Sequence, residues 1–148
     1  MTEQIAEKLT YNGKVYELYI EPLSPYLYKH TIESSVFTSY TRTDCWRGYV
    51  GHWAIEDDKL YLIELDRFEE FSIQELDRFE DVPIRNILND LFPGQQKVFA
   101  EWYSGSIHTT LDDMYMYFDF KIEKGRLVEV EKKESKYKGM YMRNFDEL

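Results

Sequence analysis

Apolar and polar residues alternate with a period of two along most of this chain, the pattern of half-buried β-strands. Residues Lys8–Tyr19 alternate on either side of Asn12-Gly13, a pair suited to the positive φ angles of a type I′ turn, and they predict a β-hairpin. Pro22 and Pro25 then break the pattern, and Ser34–Tyr40 reads as extended. Cys45–Ile55 predicts a long strand, Glu56-Asp57-Asp58-Lys59 a turn, and Leu60–Leu65, apolar apart from Glu64, an antiparallel partner strand. Val98–Ser104 predicts a strand with Val98, Ala100 and Trp102 on one face, and Gly105 a bulge or bend. Tyr115–Ile122 and Arg126–Val130 predict a second hairpin across Glu123-Lys124-Gly125. In it Phe118, Phe120 and Ile122 are expected toward the core, with Tyr115, Tyr117, Asp119 and Lys121 opposite. From Glu131 the chain is charged, and Tyr137, Met140, Tyr141 and Phe145 then suit it to docking.

Between these strand patterns the period lengthens. The hexapeptide ELDRFE occurs at Glu64–Glu69 and again at Glu75–Glu80, within tandem copies Glu64–Gln74 and Glu75–Arg85 that share seven of eleven residues. Leu65, Phe68, Ser72, Leu76 and Phe79 fall at spacings of three and four, so the repeat predicts a modestly amphipathic helix up to Asp81. Pro83 interrupts it and suits the start of a second short helix, Ile84–Leu91, closed by Pro93-Gly94. A core strand duplicated in place would displace every later strand from register, so the repeat is expected on the periphery. These readings add up to one α+β domain over residues 1–148. Its expected architecture is a mainly antiparallel sheet or partial barrel with one or two short helices and a peripheral acidic segment at 64–85.

Composition narrows the class. A chain of 148 residues with 43% apolar and 31% charged residues is long enough to bury one core without metal or disulfide support. The net charge of −10 argues against binding a phosphate backbone, so no nucleic-acid partner is expected; it would steer a basic protein toward this one. Residues 64–85 carry eight acids against three arginines, a net of −5 and half of the whole charge. Glu69, Glu70, Glu80 and Asp81 are its candidate acidic surface. Lone Cys45 excludes an internal disulfide and fits a reducing compartment. Met1–Lys8 has no apolar signal region, and no stretch approaches the ~18–20 apolar residues of a membrane span, so a cytoplasmic protein with no membrane partner is expected.

Candidate chemistry concentrates in Asp44–Trp53. Cys45 as a nucleophile would need a nearby base, but His52 lies seven residues along the predicted strand, roughly 23 Å away on the opposite face. Cys45 therefore reads as a buried, inert thiol. His30, His52 and His108 are far apart in sequence, without zinc-ligand spacing, and Asp57-Asp58 and Asp112-Asp113 read as solvated turns, so no metal and no cofactor are expected. No Gly-rich phosphate loop, GxSxG elbow or HExxH occurs, and no catalytic residue is assigned. The binding candidates are Trp46, Arg47, Tyr49, Trp53, Trp102 and Tyr103, residue types that favour contact surfaces or fill cores.

The succession CWRGYVGHWAIEDDKLYLIEL, LFPG, VFAEWYSGSI and IEKGRLVE resembles a group of small uncharacterised bacterial proteins. These share a Trp-bearing strand, an LYL strand, LFP, and an F-x-x-W-[FY]-S-G strand before a final hairpin. The resemblance implies no activity. By analogy of size and acidity, the expected function is non-enzymatic protein binding, of an immunity or antitoxin kind. The alternative is a β-barrel-like protein holding a small molecule among Trp46, Trp53, Trp102 and Tyr103.

Overall fold

A computed structural model of the chain describes residues 4–18, 20–32, 45, 47–68, 84–109 and 116–134. Strand β1 (Glu7–Tyr11) and β2 (Lys14–Leu18) form the first hairpin, and Asn12 and Gly13 both take positive φ as the turn requires. A six-residue helix, α1 (Ser24–Lys29), follows with proline in its first turn, where a missing N–H costs nothing. Pro25 was expected only to break structure; it opens a helix instead.

Strands β3 (Tyr49–Glu56) and β4 (Lys59–Phe68) form the central antiparallel pair, turned at Asp57 and Asp58 with positive φ. Strand β3 is shorter than the predicted Cys45–Ile55. Val98–Phe99 (β6) and Ile84–Asn86 (β5) both pair with β4, and Leu88–Leu91 (α2) is the remaining helix of the described residues. Strands β7 (Gly105–His108), β8 (Met116–Glu123) and β9 (Arg126–Glu134) complete the sheet, with Lys124 and Gly125 at positive φ between the last two.

Among the described residues the nine strands form one mixed sheet, ordered β2-β1-β3-β4-β9-β8-β7, with β5 and β6 also on β4. The sheet curls, bringing Tyr11 and Tyr16 edge-on against Phe118 and Phe120 of β8. Its two ends meet at one isolated bridge, Leu18↔Thr109, and the sheet stays open, so a closed barrel is ruled out. One core cluster runs through it, centred on Leu9, Tyr49, Trp53, Leu60, Leu62, Leu65, Ile107 and Phe120. No helix among the described residues is long and apolar enough to cross a membrane.

One pairing was not anticipated, and three expectations need correction. Strand β1 pairs with β3 in parallel, from Lys8↔His52 to Tyr11↔Ile55, a non-local pairing that local alternation does not encode. Ile84–Leu91 is not one helix: Ile84–Asn86 is a strand, exposed at Ile84, and helix begins only at Leu88. Val98–Ser104 is a strand for two residues and then turns, although Val98 and Ala100 are buried as expected. The repeat does not start as a peripheral helix, because Glu64–Phe68 are the last residues of β4 and Leu65 lies in the core. The periodicity of three and four over Leu65 and Phe68 lost to pairing with β3 and β5. Phe68, the last residue of β4, is the register partner of Ile84, the first of β5. Ser34–Tyr40, residues 69–83, Tyr115 and the tail from 135 lie outside the described residues.

Candidate functional site

Strand β3 carries polar chemistry on both of its faces. On the core side, the register sets Leu9 beside Trp53, which brings the preceding Glu7 over Gly51. Glu7 is 1% exposed, yet its carboxylate is well supplied with donors. Arg47 donates to Oε2 from Nε at 3.1 Å and Nη2 at 2.7 Å, Gly51 N–H donates to Oε2 at 2.7 Å, and Trp53 Nε1–H donates to Oε1 at 3.1 Å. Gly51 is required there because a Cβ would come within 2.5 Å of Glu7 Oε1 and 2.7 Å of Trp53 Nε1. Burial pushes the Glu7 carboxyl above its ordinary range, against the opposing pull of Arg47 and the two N–H donors. Burial disfavours the Arg47 charge most strongly of any single influence, but Glu7, Cys45 and Glu21 together outweigh it and raise the guanidinium above its ordinary value. The Arg47 guanidinium lies 5.5 Å over the ring of Tyr49. Burial first, then Glu7 and Glu21, drive the Tyr49 phenol far above its ordinary value.

Beside this hub lies a cleft of about 210 Å³, lined by Gln4, Ile5, Glu7, Leu18, Ile20, Glu21 and Arg47. Its walls are partly aliphatic and its rim carries Glu21, about half exposed and 3.7 Å from Arg47 Nε. With Glu7 neutralising Arg47, Glu21 leaves the cleft with a formal excess of one negative charge.

The opposite face of β3 carries His52. Its ring Nε2 is hydrogen-bonded with Asp66 Oδ2 at 2.8 Å, and Glu64 Oε2 lies 3.5 Å from the same nitrogen. A β-bulge makes this group. Leu62 faces Trp53 but Glu64 faces His52, leaving Ile63 with no register partner on β3. Without the extra residue His52 would face Ile63, and Glu64 would point into the core. The Glu64 carboxyl is raised above its ordinary range, by partial burial and then by its hydrogen bond with Asp66.

Of the residues singled out in the sequence, Arg47, Tyr49 and Trp53 do come together, around Glu7. Trp53 is 0% exposed and serves the interior rather than a contact face. Trp102, half-buried, donates to Pro22 O at 2.8 Å and lies parallel to Phe92, with Trp53 6.4 Å away. These indoles fill the sheet interior instead of lining open space. Tyr103 bonds locally to Ser106 O at 3.2 Å, and burial raises its phenol. Cys45 is buried and donates its thiol to Tyr49 O at 3.3 Å. Asp119, expected on the outer face, is buried as well, with Lys133 at 3.1 Å. Trp46 and the acidic candidates Glu69, Glu70, Glu80 and Asp81 lie outside the described residues.

Sequence reasoning missed Glu7, Glu64 and Asp66 as site residues, and weighed His52 only as a base for Cys45 or a zinc ligand beside the other histidines, setting both aside. One signal was present: Glu64 interrupts the otherwise apolar Leu60–Leu65 run, and an acid there needs a partner. Comparison with protein-family models, with curated proteins and with solved structures finds no match for this chain.

Proposed function

We propose that this chain is a non-enzymatic protein-binding domain whose partner is basic, and that the cleft beside Arg47 receives a lysine or arginine side chain of that partner. The observation that carries this reading is the division of charge in the cleft. Arg47 is occupied by buried Glu7, whereas Glu21 stands about half exposed at the rim above Ile5, Leu18 and Ile20. An aliphatic stem against those walls and a cationic head at Glu21 match the two halves of a long basic side chain. The overall charge of −10 supports the same partner through long-range steering. An immunity role, in which an acidic protein masks a basic toxin, is the specific form favoured here.

Charge reversal at the rim tests the proposal. Partners retained by the immobilised chain at low ionic strength, and identified by mass spectrometry, should be basic. Glu21→Lys should weaken the purified pair at least tenfold, and raising the salt should weaken it in the wild type. An acidic partner, or an affinity indifferent to Glu21→Lys, would refute the cleft as the contact.

A further inference from the structure

We infer that His52, Glu64 and Asp66 form a binding site for a divalent first-row transition ion, with zinc as its natural probe. One ligand atom from each residue lies within 4.8 Å of the other two. Tetrahedral zinc with bonds near 2.0–2.1 Å holds its ligand atoms about 3.3 Å apart. The existing separations from His52 Nε2, 2.8 Å to Asp66 and 3.5 Å to Glu64, bracket that value, and the ligand atoms of the two carboxylates lie within 4.8 Å of each other.

Three further features point to a cation. The group holds two carboxylates and one imidazole, so acceptor oxygens outnumber the N–H donors offered within it. Asp66 is largely buried, its side chain only 11% exposed, and a buried carboxylate needs a positive partner. Lys8, the register partner of His52 on β1, is engaged by Glu17 at 2.8 Å. The imidazole sets the metal class: oxygen-only sites suit magnesium and calcium, while a nitrogen ligand favours zinc and its neighbours. Zinc would bond to His52 Nε2, with the neutral ring carrying its one proton on Nδ1 and any second proton released to solvent, and to Asp66 Oδ2 and Glu64 Oε2. The three protein ligands leave a fourth position open to solvent. The ligands come from two adjacent strands that pair on both sides of the bulge at Ile63, which ties the site to the central pair of the sheet.

Calorimetric titration of the full chain, first stripped with a chelator, should show one zinc site per chain. Zinc should also raise the thermal midpoint of the wild-type protein. Glu64→Gln keeps volume and removes one ligand charge, and both it and His52→Ala should weaken zinc at least about tenfold, since loss of even an outer partner costs 10–100-fold. His108→Ala should leave the affinity unchanged. Magnesium should bind at least tenfold more weakly than zinc. The proposal is overturned by absence of zinc heat together with an unmoved midpoint, by retention of wild-type affinity in Glu64→Gln, by loss of the site in His108→Ala, or by equal affinity for magnesium. If His52→Ala fails to fold, Glu64→Gln and the wild-type midpoint still decide the question.

Discussion

The two faces of β3 hold carboxylates in opposite conditions. On the core face one carboxylate, Glu7, is met by donors from Arg47, Gly51 and Trp53. On the outer face two carboxylates, Glu64 and Asp66, share one imidazole. The first group is saturated and joins β1, β3 and the turn before β3 into a structural knot. The second has acceptors to spare and is open at Glu64 and His52, the condition of a site rather than a knot. Each group also holds one buried carboxylate, Glu7 in the first and Asp66 in the second. The ratio of donors to acceptors separates the roles.

The sharpest way to break this contrast is to remove the saturated carboxylate. Glu7→Ala strands a nearly buried guanidinium and two N–H groups, so it should cost about 3–5 kcal/mol, read as a lower urea midpoint. A loss under about 1 kcal/mol would mean the knot carries no structural weight. Gly51→Ala attacks the same group sterically, pressing a Cβ against Glu7 and Trp53. It should cost about 1–3 kcal/mol and shift Trp53 fluorescence. The smallest effect is expected on the other face, from deleting residues 64–74. Because ELDRF recurs, Glu75, Leu76, Asp77, Arg78 and Phe79 would take the strand places of Glu64–Phe68, with Glu80–Pro83 joining them to Ile84. A four-residue connection is ordinary for a hairpin. Stability should stay within about 1 kcal/mol by urea unfolding, and zinc binding should persist through Glu75 and Asp77. Loss of cooperative unfolding would show that the copies are not interchangeable in β4.

Local chemistry made parts of this fold legible. Asn12-Gly13 and Lys124-Gly125 announced their turns because positive φ leaves few residue choices. Alternation around Trp53 and Leu60–Leu62 announced the central pair. What stayed hidden depended on distant contacts. The parallel β1–β3 pairing gives Glu7 its meaning, since an acid near the start of a polar segment otherwise reads as solvated. The jump in core residues from Leu62 to Leu65 marks the bulge at Ile63, but only the register with His52 shows its effect. For the same reason, a histidine and two acids too far apart for any linear motif become neighbours across a strand pair. Aromatic richness was legible as composition and ambiguous as role; the carboxylate of Glu7 and the ring of Phe92 decided that Trp53 and Trp102 face inward.

The pairing of Phe68 with Ile84 has one more consequence. Partners in an antiparallel ladder stand about 5 Å apart, so whatever chain joins these two begins and ends at nearly the same point. This adjacency is the geometry of a display position: a foreign loop or a small autonomous domain with adjacent termini inserted between Phe68 and Ile84 should leave β4 and β5 paired, read as an unchanged urea midpoint.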